Sequence, residues 1–391
     1  MYRARFAMVS LAAVAAIGLT LALSACGGSS SSSSTASNEE TGAATTGGES
    51  NAEGSAADVE AAEEVVAPYI GKPSPFPVTE DLKEVPKGAE IIYVSAGTPI
   101  GELLGELMEG AAKTMGVKLT KLVGGSSANS ISSAMDSVVA KKPAAVIVGA
   151  INIELWSKQL KELQAANIPV VTEGVIGTEP YGVVSPQIAE TSSELEGELL
   201  AAYVVAEMGP KPNIAFYEVP ELPFTKIIGE SFTKELEATC PECQMRSVDI
   251  QAATLGNTAP TAIVSDLQAN PETTVAVFAP NEIQNGVPQA LQSAGITVKT
   301  LGYAPGPENL QYMKEGKETA GLAIDLPVVS WGAVDQAARE IVGQKLTGLE
   351  AEGISVHEFL TKKDITFDPA KGWTGYPDFA ERFAKLWGVA G

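Results

Sequence analysis

A single histidine, three cysteines and 6% aromatic residues supply little reactive chemistry for a chain of 391 residues. A histidine metal centre needs several imidazoles, and a Ser-His-Asp hydrolase needs one in a cleft, whereas His357 reads as a surface residue. The sequence therefore offers no metal-ligand set, no cofactor motif and no catalytic residue. Positive charge is also scarce. With 26 Lys and Arg against 48 Asp and Glu, the net charge of −22 repels a polyphosphate backbone and excludes nucleic acid as a partner. What is present is 45% apolar residues, 38 Gly and 24 Pro. That suits globular cores of Ala, Val, Leu and Ile, with room for roughly two domains of about 150 residues.

Arg3 and Arg5 precede an apolar run over residues 6–23, which ends in Leu23-Ser24-Ala25-Cys26. About 18 apolar residues could just span a bilayer, but small residues followed at once by Cys are what a signal-peptide cleavage site needs and what a membrane anchor does not. The tetrapeptide resembles the lipobox of bacterial lipoproteins. That resemblance implies a signal peptide over residues 1–26, acylation of Cys26, and an extracytoplasmic protein anchored to the cell membrane by lipid. Residues 27–51 carry no large apolar side chain, so burial cannot offset their ordering entropy, and they read as a tether. Residues 59–66 suit a short acidic helix. Pro68, Pro73, Pro75, Pro77 and Pro86 then make an extended arm, so that 27–86 is tether plus arm with no long strand.

From residue 89 onward, short β-branched runs alternate with helical patterns, the signature of parallel sheets covered by helices. Residues 91–95 form the first strand. Ile100, Leu103, Leu104, Leu107, Met108, Ala111, Ala112 and Met115 follow at spacings of three and four, one apolar stripe of a helix. Further strands are expected at 117–122, 144–148, 168–172 and 182–185. The alternation then restarts, with strands at 213–217, 244–250, 274–278, 298–301 and 319–324. No internal repeat is evident, so the two halves share a plan and not a sequence. The fold class expected is α/β, two doubly wound parallel-sheet lobes facing a common cleft, because open parallel sheets bind ligands beyond the carboxyl ends of their strands.

The order of elements, together with Gly229-Glu230-Ser231-Phe232, the run Ala276 through Glu282, the run Leu291 through Ile296 and Ile324-Asp325-Leu326-Pro327, resembles the type I periplasmic binding proteins, the ribose-binding-like receptors of ABC importers. The resemblance covers residues 86–353. It implies a three-crossing hinge near Pro186, Leu326 and Ile354, with a first lobe of 87–185 plus 326–353 and a second lobe of 186–325 plus 354–391, the latter including the C-terminal tail. It also implies a monomer that captures a small-molecule ligand for an ABC permease, without catalysis. Binding residues in the family sit at strand ends. Carried over one at a time, they fall on Thr98 and Pro99 after the first strand, Asn152 and Glu173 in the first lobe, Lys226, Asn281, Glu282 and Tyr303 in the second, and Asp325 at the hinge. Phe224 joins them as a stacking candidate. Lys226 stands where the family grips sugar hydroxyls with Arg, and Pro99 and Ile100 offer no ring, so the pocket reads as acidic and suits a ligand with a positive group or a polyol held by carboxylates.

Cys240-Pro241-Glu242-Cys243 has the spacing of a thioredoxin-type pair, but it follows a helix and precedes a strand, so it lacks the helix N-terminus that activates such a thiol. In an exported chain the pair reads as a disulfide stapling a turn. Trp156 and Trp331 lie on helical stripes and are expected in the core. Two other readings remain at this stage: a ligand sensor for a membrane receptor, and a thiol oxidoreductase built on Cys240 and Cys243.

Overall fold

The computed structural model describes residues 52–183, 188, 190–209 and 211–390. Arg3, Arg5, the residue 6–23 run, Cys26 and the tether lie outside them, as does the expected crossing at Pro186. The elements in chain order are α1 (Ala52–Val66), β1 (Glu90–Ser95), α2 (Pro99–Met115), β2 (Lys118–Val123), α3 (Ala128–Lys141), β3 (Ala145–Gly149), α4 (Ser157–Ala165), β4 (Val170–Glu173), α5 (Glu190–Glu207), β5 (Asn213–Glu218) and α6 (Pro223–Thr239). They continue with β6 (Gln244–Asp249), α7 (Ala259–Ala269), β7 (Val275–Ala279), α8 (Val287–Ala294), β8 (Lys299–Tyr303), α9 (Pro307–Glu315), β9 (Ala320–Ile324), α10 (Leu326–Ile341), α11 (Gly348–Glu352), β10 (His357–Thr361) and α12 (Phe379–Leu386). The expected strand at 182–185 does not appear at Gly182 or Val183, and its other residues are not described.

Among the described residues the strands form two sheets, ordered β2-β1-β3-β4 and β10-β9-β8-β7-β5-β6. All pairs are parallel except β10 against β9. Parallel strands need covering on both faces, and the side-chain alternation shows how it is met. Ile92, Val94, Val146 and Val148 pack with Ile131, Met135, Trp156 and Leu160 of the α3–α4 side. Ile91, Tyr93 and Ile147 face the other way, towards Leu104, Met108 and α10. In the second sheet Phe216 meets Phe232 of α6 with ring centroids 5.0 Å apart, while its neighbour Tyr217 stacks on Phe278 and donates a 2.6 Å hydrogen bond to Asp266 of α7. The fold is thus α/β in two lobes.

The chain passes between the lobes at Asp325. This residue ends β9, caps α10 by accepting the Val328 N–H at 3.1 Å, and accepts the Thr374 hydroxyl and the Gly375 N–H, both at 2.9 Å. Its own N–H donates to Val356, on the passage back into β10. Helix α10 packs on β3, β4 and α2 of the first lobe, and β10 returns to the second sheet. The tail departs from the expected division. Helix α12 returns to α2 and α10, where Trp331, Phe379, Phe383 and Trp387 form one aromatic cluster, with Trp331 and Trp387 stacked at 5.4 Å. The reason is physical: α12 is strongly amphipathic, and its aromatic stripe finds an apolar partner on α10.

The acidic helix is longer than 59–66, spanning Ala52–Val66, and packs on α5. Beyond it the proline-rich arm carries only a single bridge, Ile70 to Phe359. It is fixed at both ends. Ser74 N–H donates to the His357 carbonyl, Ser74 Oγ accepts the His357 N–H, and the Ser74 carbonyl accepts the Tyr376 hydroxyl. Further on, the Glu80 carbonyl accepts from Arg339 at 2.6 Å, the Asp81 carbonyl accepts from Gln344, and Leu82 N–H donates to Leu386. The arm therefore straps β10 of the second sheet to α10 and α12 of the first lobe.

Candidate functional site

Every strand that faces the interlobe cleft ends in a residue of its wall. Ala96 and Thr98 follow β1, Gly149 and Ala150 end β3, and Glu173 and Gly174 end β4. Across from them stand Leu222 and Phe224 after β5, Pro280 and Glu282 after β7, Tyr303 and Ala304 at the end of β8, and Ile324 with Leu326 at the end of β9. About 570 Å³ within the cleft is not filled by atoms, part of it open to solvent. A wider hollow of about 1240 Å³, partly open to solvent, shares Ala96, Thr98, Ala150 and Leu222 with it and forms its mouth.

The lobes touch across the cleft. Ile100, in the first turn of α2, donates its N–H to Glu282 at 3.3 Å, so a carboxylate from one lobe faces the positive end of a helix from the other. Thr98 caps that helix by accepting the Gly101 N–H at 3.1 Å, and Pro99 occupies the first helical position, where a missing N–H costs nothing. Pro99 is therefore a helix-start residue, and Ile100 lines the cleft in its place. Phe224 and Tyr303 sit side by side with centroids 6.1 Å apart. Gly174 has a φ of +62°, and a Cβ there would lie 3.2 Å from the Phe224 ring, so glycine serves both the backbone and the aromatic wall.

Thr98, Glu173, Phe224, Glu282 and Tyr303 thus share one cavity. Asn152 and Lys226 do not reach it. Both line the mouth; Asn152 caps a short turn by accepting the Glu154 N–H, and Lys226 is exposed and paired with Glu230 one turn along α6. Two residues expected in the cleft are turned inward. Asn281 donates to Glu318 at 3.1 Å, accepts from Gln284, and presses so closely on Gly302 that a Cβ at that glycine would overlap its side chain. Asp325 spends its carboxylate on the α10 cap and on Thr374 and Gly375. Both are buried structural residues.

Sequence reasoning missed Tyr93, Ala150, Leu222, Pro280 and Ala304 on the wall. For Ala150, Pro280 and Ala304 the position just past a strand end was the available signal, whereas Tyr93 lies inside β1 and Leu222 caps α6. His357 is the other correction: it is fully buried, 2.9 Å from the Glu196 carboxylate of α5, because His357–Thr361 forms strand β10 of the second sheet and not a surface loop. The cysteines pair as expected. Cys240 caps the C-terminus of α6, donating to Leu236, and is joined to Cys243. A helix C-terminus disfavours a thiolate, which removes the basis for a redox role.

Burial dominates the electrostatics. It pushes the Glu173 carboxyl up to about 8, and the Glu282 carboxyl up to about 7 against the opposing bond from Ile100. Glu318 is likewise raised to about 8 by burial, offset by Asn309 and Asn281. One oxygen of Glu173 is buried with no hydrogen-bond partner among the described residues, while the buried Tyr303 hydroxyl faces the Glu196 carboxylate. Burial first, then the charges of Glu196 and Glu173, holds the Tyr303 phenol well above its usual range.

These raised carboxyls set the sign of the pH dependence. Between about pH 4.5 and 8 the folded protein binds protons that the unfolded chain releases, so stability falls as pH rises through that window. The ligand-free protein should lose roughly 5 °C or more of melting temperature between pH 5 and pH 8.5. Glu173→Gln should flatten that slope. A melting temperature that rises over the same range would contradict the assignment.

The periplasmic binding protein domain family matches residues 89–345, about two thirds of the chain, and the chain belongs to that family. It is a family of binding proteins, not of enzymes. The fold is similar to that of the 5-methylthioribose transporter solute-binding protein from Thermotoga lettingae, in complex with 5-methylthioribose, at 16% identity and a TM-score of 0.64 over 77% of this chain and 99% of that one. It is similar to the Caulobacter myo-inositol binding protein bound to myo-inositol, at 18% identity and a TM-score of 0.62 over 73% and 97%. An ABC sugar transporter subunit from Rhodobacter sphaeroides matches at 20% identity and a TM-score of 0.61 over 71% and 99%. No curated protein sequence matches the chain.

Proposed function

We propose that this protein is the extracytoplasmic, lipid-anchored receptor of an ABC importer. It closes as a monomer over one small solute and presents it to the permease. The observation that carries this reading is the cleft itself, walled by strand ends from both sheets and holding a buried carboxylate oxygen of Glu173 without a partner. Contacts completed only on closing favour the closed form, which is what a permease must recognise. Solutes that the Thermotoga and Caulobacter proteins hold are a methylthio-pentose and a cyclitol, so sugars and polyols belong in the first screen. A thermal-shift screen of purified residues 52–391 against sugars, polyols, amines and nucleosides should return at least one solute that raises the melting temperature with concentration. A complete absence of shifts would remove the reading.

Anchoring rests on Leu23-Ser24-Ala25-Cys26 behind the apolar run. Cys26→Ala is expected to release the protein from the membrane fraction of expressing cells, because acyl chains contribute about 0.8 kcal/mol per buried CH₂ and the variant cannot carry them. Among the described residues no helix is long and apolar enough to cross a membrane. Retention of Cys26→Ala in the membrane would favour a spanning segment instead.

A further inference from the structure

The polar inventory of the cleft is lopsided. Among the described residues its wall carries polar side-chain atoms only on Tyr93, Thr98, Glu173, Glu282 and Tyr303, with no Lys, Arg, His, Asn or Gln. Tyr93 already donates to the Gly101 carbonyl and Thr98 already accepts from the Gly101 N–H. What remains is two carboxyl groups and one phenol, set in an otherwise apolar chamber. A sugar needs both donors and acceptors for each hydroxyl, and this wall cannot supply them in number. An ammonium is the opposite case: it has three donors and no acceptor. The orphaned oxygen of Glu173 is nine-tenths or more buried and lines the chamber, so it marks where such donors would be received, with the Tyr303 ring beside it and that phenol's hydroxyl turned towards Glu196. The faces of Phe224 and Tyr303 add the quadrupole that attracts a cation.

Building on the receptor reading above, we propose that the solute is a small organic amine, its ammonium held by Glu173 and Glu282 beside Tyr303 and its apolar body packed on Phe224, Leu222 and Ile100. The groups facing this centre are Glu173 from β4, Glu282 from the turn after β7, Tyr93 from β1, Tyr303 from β8 and, behind Tyr303, Glu196 from α5. All are acids, so no cation on the wall competes with the ligand for the carboxylates, and the Ile100 N–H engages only one oxygen of Glu282. Binding an ammonium requires those carboxyls to ionise, and below pH 8 that releases protons.

Cyclohexylamine and cyclohexanol are matched probes, one ring with and without the charge. Calorimetry on the purified chain should show cyclohexylamine binding at least tenfold tighter than cyclohexanol at pH 8.5. Its affinity should fall at least tenfold by pH 6.5, with proton release visible as a difference between two buffers of unlike ionisation enthalpy. Glu173→Gln and Glu282→Gln, each first checked by melting, should collapse the ratio between the two probes. Tight binding of myo-inositol or D-allose, with no preference for the amine, would overturn the amine assignment and leave the receptor reading intact. Failure of amines, sugars and polyols alike would defeat both.

Discussion

Arg339→Leu is expected to cost about 3–5 kcal/mol of folding stability, the range for removing one partner of a buried ion pair. Arg339 is 1% exposed and donates to both oxygens of Asp335, the nearer at 2.6 Å, and to the Glu80 carbonyl of the arm. Asp335 also accepts the indole N–H of Trp387. Glu350 lies 4.0 Å from the same guanidinium, and burial followed by the Asp335 charge pushes its carboxyl up to about 9, so one cation serves one anion and Glu350 keeps its proton. Without Arg339, Asp335 is left charged and uncompensated in a core. The melting temperature should drop by roughly 6–20 °C. The double variant Arg339→Leu with Asp335→Leu should recover most of the loss, since a whole buried pair exchanged for apolar groups is often neutral. A single variant within 1 kcal/mol of the parent would show that solvent reaches Asp335.

The second large effect is expected at Gly197. Helices α5 and α6 approach so closely there that a Cβ would lie 2.4 Å from the Ile228 carbonyl oxygen and 2.8 Å from the Phe232 nitrogen. Both are backbone atoms that no rotamer change can move, so Gly197→Ala must push the helices apart. Overpacking of this kind costs about 1–3 kcal/mol or more, against a gain of up to about 1 kcal/mol in helix propensity. Gly110→Ala in α2 is the control. Its Cβ would meet only Trp331 at 3.7 Å, an ordinary contact, so propensity should win and stability should hold or rise. Gly197 adjoins Glu196, the partner of His357 and the charge behind Tyr303, so the same variant should also weaken solute binding in calorimetry.

The strands were legible because parallel strands are buried on both faces and read as unbroken apolar runs, as at residues 91–95, 144–148 and 274–278. Helix α2 was legible because its apolar residues recur at three and four. The destination of α12 was not. An amphipathic stripe says that a partner exists and not which one, and the aromatic cluster on α10 is a tertiary choice. The same limit governs the site. A strand end fixes where a residue sits, while the next turn fixes where its side chain goes. Glu282 and Asn281 are neighbours, yet one faces the cleft and the other fills the space left by Gly302. Asp325 followed by Leu and Pro carried a helix-cap signature that outweighed its hinge position. His357 was judged on residue type alone, and type says nothing of a carboxylate 161 positions earlier.

The strap across the two lobes works as a tendon. Six peptide units separate Ser74, tied to β10, from Glu80, tied to α10, and a chain of that length reaches at most about 20 Å. While both ends hold, the two lobes cannot part beyond that span on the strapped side, whatever the hinge allows. No residue of the strap lines the mouth of the cleft, so in the proposed receptor any opening that admits a solute is expected there, at Asn152 and Lys226, with the strapped side as its fulcrum.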